Sequence, residues 1–226
     1  MLSQGAHEIR NPVSVITGYV RMLTSERLGP TTEGQRKALG EISTSAGRLA
    51  ALANEMSLLS QFVAGKVALS KARLELASLI AAETAKVAKV PERDIVFKVI
   101  DHAGGTAIMG DATQLQTALN SLLYAQAREL LTTEELSIAL DRTTLDGQPA
   151  IRVTIGGGDR IENLRKLPSS ELATFVEFRG GVGFNLSLAR EIIQLHGGQI
   201  LSKLELREDP KATPTILGSV IFLPAA

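Results

Sequence analysis

Residues 7–23 read His7-Glu8-Ile9-Arg10-Asn11-Pro12-Val13-Ser14-Val15-Ile16-Thr17-Gly18-Tyr19-Val20-Arg21-Met22-Leu23. Ile9, Val13, Ile16, Val20 and Leu23 recur at alternating steps of four and three, the spacing of one stripe on an α-helix. His7, Asn11, Ser14, Gly18 and Arg21 recur at the same steps, so they share a second face that is polar or small. The pattern predicts a helix from about the start of the chain to Ser25, with an imidazole turned away from the core. Pro12 removes an amide donor and crowds the carbonyl four residues earlier, which predicts a bend within a turn of His7.

Downstream, Gly29, Pro30 and Gly34 with the cap-forming Thr31 and Thr32 predict a turn. Leu39, Ile42, Ala46, Leu49, Ala53, Met56 and Val63 then fit a heptad stripe, widened by Leu52, Leu59 and Phe62, for a second helix to roughly Ala64. Two helices and a short turn make an antiparallel hairpin. Its apolar face is too wide for one hairpin to bury, which predicts a homodimer built as a four-helix bundle.

Beyond residue 66 the rhythm changes. Asp94–Ile100, Leu136–Leu140, Ile151–Ile155, Ile200–Leu206 and Thr215–Leu223 are β-branched or alternating, while Asp111–Leu131 and Asn185–Leu195 keep helical spacing. The expected organisation is a helical hairpin over 1–66 and an α+β two-layer sandwich over 67–226. Within 226 residues, 44% apolar, 24 Lys and Arg balance 24 Asp and Glu, so no net field recruits nucleic acid or an anionic membrane. The absence of cysteine excludes a disulfide framework, thiolate metal sites and a cysteine nucleophile, and is compatible with a cytoplasmic location. No apolar run approaches the roughly 18 residues of a membrane span. Of the other two histidines, His102 reads as a loop residue and His196 as structural.

"HEIRNPVSVITGYVRML" resembles the phosphoacceptor box of two-component sensor histidine kinases, with His7 as the phosphorylated residue. "GDATQLQTALNSLL", "FRGGVGFNLSLAREIIQLHGG" and "GSVIFLP" follow in the order of that family's ATP-binding domain. The resemblance implies that Glu8 polarises the imidazole, that Asn11 supports receiver dephosphorylation, and that the second domain is a mixed sheet under three helices.

The same resemblance exposes departures where ATP would be held. The helix that carries two asparagines in the family, the second binding Mg²⁺, has Ser121 and Ala125 at those positions; a shift of one residue gives Asn120 but leaves Tyr124, a poor ligand for a hard cation. "IRVTIGGGDRIENL" overlies the Asp-x-Gly-x-Gly box with Gly156 at the adenine-binding aspartate, Gly158 at the first glycine and Arg160 at the second. In the later box Gly181 and Gly183 are kept, while Asn185 replaces the third glycine.

These losses favour a degenerate ATPase domain without a bound cofactor. The chain then reads as a histidine phosphotransfer protein passing a phosphoryl group between receiver-domain aspartates through His7, with Mg²⁺ supplied by the receiver. An ATP-dependent sensor histidine kinase catalytic fragment, or a pseudokinase that is either a non-catalytic scaffold or a receiver phosphatase acting through Asn11, stays open as the alternative. The candidate catalytic residues are His7, Glu8 and Asn11, and the candidate partner-binding residues are Arg10, Ser14, Gly18, Arg21 and Met22.

Overall fold

The computed structural model describes residues 2–87, 93–130, 133–175, 183–205 and 214–226. The chain divides into two compact units, Met1–Val67 and Ala68–Ala226. The first is a helical hairpin of α1 (Leu2–Thr24) and α2 (Glu33–Val63). Thr32 starts α2 with a capping box: its hydroxyl accepts from the Gln35 amide, and the Gln35 side chain accepts from the Thr32 amide. Helix α1 continues through Pro12 without a break.

The hairpin buries only half of its predicted stripe. Ala6, Val13 and Val20 of α1 and Leu39, Ala46 and Ala53 of α2, each seven residues apart, are the buried seam, joined by Leu59 and Phe62. Ile16, Ile42, Leu49 and Val63, expected on the apolar stripe, are exposed at 41%, 45%, 44% and 64%. The reason is geometric: one neighbouring helix covers one seam, and the intervening positions of each heptad face away from it.

The second unit contains β1 (Ala72–Glu75), α3 (Leu76–Thr84), β2 (Val96–Asp101), β3 (Ala107–Gly110), α4 (Ala112–Glu129), β4 (Glu135–Leu145), β5 (Gln148–Gly157), α5 (Ile161–Leu164), β6 (Ala173–Thr174), α6 (Asn185–Leu195), β7 (Gln199–Glu205) and β8 (Thr215–Pro224). Six strands form a sheet in the order β2-β4-β5-β8-β7-β6, parallel only between β2 and β4, and β1 pairs with β3 separately. Helices α4 and α6 pack together on the sheet, and α3 packs beside α4. The architecture is therefore a helical hairpin followed by an α+β sheet domain.

Strands β4 and β5 run longer than expected because Asp146 and Gly147, both at positive φ, close a two-residue hairpin turn between them. Elements β1, α3 and β3 were not legible. Leu76 and Ile80 of α3 are fully buried, and so short a helix has little room for periodicity.

His196 is buried at the end of α6. Its Nε2 accepts from the Asp111 amide at 3.0 Å and its Nδ1 lies 2.7 Å from the Ile192 carbonyl, which assigns the proton to Nδ1. Burial is the main cause of a pKa below the ordinary 6.5, opposed by the Ile192 carbonyl. The unfolded chain therefore takes up this proton first as pH falls, so the contribution is full above about pH 6.5 and shrinks below it. Denaturant midpoints at about pH 7.5 and about pH 5 should fall more in the wild type than in His196→Gln; equal falls would contradict the assignment.

Among the described residues no helix is long and apolar enough to cross a membrane.

Candidate functional site

Ala6 is fully buried in the hairpin seam, and the next residue round the helix is turned outward, so His7 is exposed. Glu8 and Asn11 are exposed as well. Asn11 stands one turn from His7 on the same face, whereas Glu8, adjacent in sequence, does not share it. Farther along, Gly18 opens the surface, with nothing within 4 Å of where a Cβ would stand, and Arg21 and Met22 are exposed beside it. Ser14 donates to the Arg10 carbonyl at 2.8 Å. Arg10 is not a free docking side chain: it crosses the hairpin, and its Nη2 donates to Asn54 Oδ1 at 3.0 Å. A single helix's pattern cannot reveal that contact, because its acceptor lies 44 residues away.

In the second unit the pleat of β5 decides which way each glycine of the box faces. Adjacent residues of a strand face opposite ways. On β8, Ser219 donates to Gln126 of α4, so it faces the helices, and Gly218, paired with Gly156, faces the opposite side. Gly156 therefore points away from α4, and Gly157 is the residue that points toward it. A Cβ on Gly156 would stand 2.5 Å from Leu164 Cδ1, and one on Gly218 would stand 2.9 Å from the same atom. The paired glycines form a socket that Leu164, itself buried, fills.

Leu164 is held there by the backbone of its own short helix. The buried Arg152 donates to the carbonyls of Leu164 at 2.8 Å and Leu167 at 2.6 Å, and lies over the Phe222 ring at 5.7 Å. Burial pushes its guanidinium pKa down. Arg165, bonded to Asp141 and to Glu162 at 3.1 Å, clamps the same segment, and these partners raise its pKa. The described part of the stretch after Ile161 is fastened in this way to the outer face of the sheet. Arg152 was missed because an arginine between Ile151 and Val153 reads as the exposed half of an alternating strand.

On the helix-facing side, Gly157 offers no side chain. Asp159 Oδ1 lies 2.6 Å from where its Cβ would stand, and the Asp159 carboxylate is 3.4 Å from Arg160 Nε. Between Gln126, Glu129, Gly157 and Asp159 the cavity is about 20 Å³, room for about one water against the several hundred Å³ of a cofactor pocket. On α4, Ala125 is fully buried, the Ser121 hydroxyl donates to the Thr117 carbonyl at 2.9 Å, and Tyr124 lies under the Arg128 guanidinium. Asn120 is half-buried. Among the described residues no three His, Asp or Glu side chains are grouped to hold a metal ion. Gly183 takes a left-handed φ of 61° before Asn185 begins α6; Gly181 lies outside the described residues. At the two aligned positions Gly156 offers adenine no side-chain acceptor and Ala125 offers Mg²⁺ no oxygen.

Comparisons agree with the hairpin and the fold. Residues 1–65 match the His Kinase A (phospho-acceptor) domain family. Along 209 residues, 88% of its length, the chain is 26% identical to the circadian input-output histidine kinase CikA of Synechococcus elongatus, of which it spans 27%. The fold is shared with ShkA, solved full-length with AMPPNP (TM-score 0.65, 18% identity, 100% of this chain and 46% of that one). It is shared also with the histidine kinase ThkA, solved with the response regulator TrrA (TM-score 0.51, 20% identity, 99% of this chain and 60% of that one). The hairpin thus matches a phospho-acceptor domain, and the chain is similar along most of its length to a histidine kinase of which it spans about a quarter.

Proposed function

We propose that the chain is a phosphohistidine carrier of two-component signalling, exchanging a phosphoryl group between His7 and the aspartate of a receiver domain. The neutral imidazole is the nucleophile. Its nitrogen lone pair forms the N–P bond as the P–O bond of the aspartyl phosphate breaks, and the carboxylate leaves with that electron pair. Asn11 orients the phosphoryl oxygens or a water, Glu8 polarises the ring, and the receiver brings the Mg²⁺. The chain is its own partner in this reading. Ile16, Ile42 and Leu49 are apolar, exposed and on the predicted stripe, and a second hairpin covering them completes a four-helix bundle. ThkA, solved with a response regulator, supports a receiver as the other partner.

One observation carries the choice of phosphoryl source: the glycine box closes on Leu164 outside and on a water-sized cavity inside. An ATP-dependent histidine kinase is the second reading. It is favoured by the similarity to CikA over most of the chain and by Asp159, whose carboxylate reaches the side of Gly157 that faces α4. Titration calorimetry with ATP and Mg²⁺ at millimolar nucleotide separates the two. The carrier reading expects no saturable heat, and clear saturation would move the kinase reading to first place.

A further inference from the structure

The Arg10 side chain has a place in this chemistry that its sequence position does not reveal. Arg10 is three residues from His7, so the two are neighbours on the helix surface, and a helical side chain leans toward the N-terminus, here toward His7. Across the seam, Asn54 directly follows the fully buried Ala53, the counterpart of Ala6 in the three-on-three series of buried positions. Met56 Cε lies 3.5 Å from where a Cβ on Gly5 would stand, which fixes the same register. Asn54 therefore stands within about one helical turn of His7 along the hairpin. Its Oδ1 accepts from Arg10 Nη2 at 3.0 Å, which draws the guanidinium back to that height.

We infer that Asn54 is a positioning residue that holds the Arg10 guanidinium beside the phosphoryl group carried by His7. This deepens the phosphohistidine reading and rests on it. The amide acceptor matters: it carries no charge, so it fixes the guanidinium while leaving its positive charge, and the donors that do not face Asn54, to the phosphoryl oxygens. Phosphohistidine is lost through a loose, metaphosphate-like transition state. The N–P bond breaks, the electron pair returns to the imidazole nitrogen, and the phosphoryl group passes to water. The departing unit carries about one negative charge where the bound group carries two, so a fixed cation favours the bound state and slows spontaneous loss.

The test uses the full chain and a small phosphoryl donor, so that it does not depend on a cognate receiver. Phosphoramidate labels His7: the imidazole nitrogen attacks phosphorus, the donor's P–N bond breaks, and ammonia leaves. The readout is the half-life of the phosphohistidine after the donor is removed. Arg10→Met should shorten it about tenfold, the scale of one lost charge-assisted hydrogen bond. Asn54→Ala should shorten it about threefold in the wild type and leave it unchanged in the Arg10→Met background, because Asn54 acts through Arg10. Arg10→Lys should recover part of the loss.

Unchanged half-lives, or effects of the two substitutions that simply add, would overturn the inference. Failure of phosphoramidate to label His7 would overturn it together with the reading it rests on. If receivers fail to label His7 but the half-lives follow the expected pattern, the carrier reading falls and the placement of Arg10 stands.

Discussion

His7→Ala should take up no phosphoryl group from a phosphorylated receiver domain, while its helical content and unfolding midpoint should stay those of the wild type. Both halves of this result follow from the position of His7. The side chain is exposed on α1, one residue past the fully buried Ala6, so truncating it removes no packing. It is also the one imidazole placed for the reaction. His196 is buried, with both ring nitrogens engaged by Asp111 and Ile192. His102 lies in a loop of the second unit, 3.9 Å from Glu162, with no asparagine one helical turn away. Acid-labile label should therefore vanish from the variant rather than move. Retained label in His7→Ala, measured with intact receiver and Mg²⁺, would place the phosphoacceptor elsewhere.

Gly156→Asp has the largest expected effect on stability. Installing an aspartate where the sequence alone places the adenine-binding residue should unfold the second unit more easily instead of restoring nucleotide binding. The new Cβ would stand 2.5 Å from Leu164 Cδ1 and 3.2 Å from the Leu217 carbonyl. Leu164 is buried and its helix is fastened by Arg152, so relief requires repacking this face. The carboxylate would enter a socket lined by a leucine side chain and a backbone carbonyl. Overpacking and an unpaired buried charge together cost about 3–5 kcal/mol, a large share of an ordinary domain's stability. Urea unfolding of the variant checks the loss, and calorimetry checks that ATP binding does not appear. A stable variant that binds ATP would mean that Gly156 faces the nucleotide side after all.

The hairpin was legible because helical periodicity is a local signal, written in residues such as Val13, Val20, Leu39 and Ala46 that lie one or two turns apart. What periodicity could not tell was which half of the stripe a single chain covers, because Ile16 and Val20 are equally apolar and differ only in the neighbour they face. His7 was legible for the same reason as the seam: a polar face is the complement of an apolar one. The facing of each residue in the glycine box was not legible. Its letters align on Gly156, and the pleat, set by pairing with a strand some 60 residues away, assigns the helix-facing side to Gly157. The cover over the outer face of the sheet was not legible at all. It depends on Arg152 reaching the carbonyls of Leu164 and Leu167 and on Arg165 reaching Asp141, contacts between segments that carry no periodic signal.

In the carrier reading His7 receives its phosphoryl group from a receiver and not from ATP. The direct measurement is a labelling experiment with two arms, one holding a phosphorylated receiver domain and Mg²⁺, the other holding labelled ATP and Mg²⁺ without receiver. Acid-labile label is expected at His7 in the first arm alone. Label at His7 in the ATP arm would contradict it and make the chain a histidine kinase in its own right.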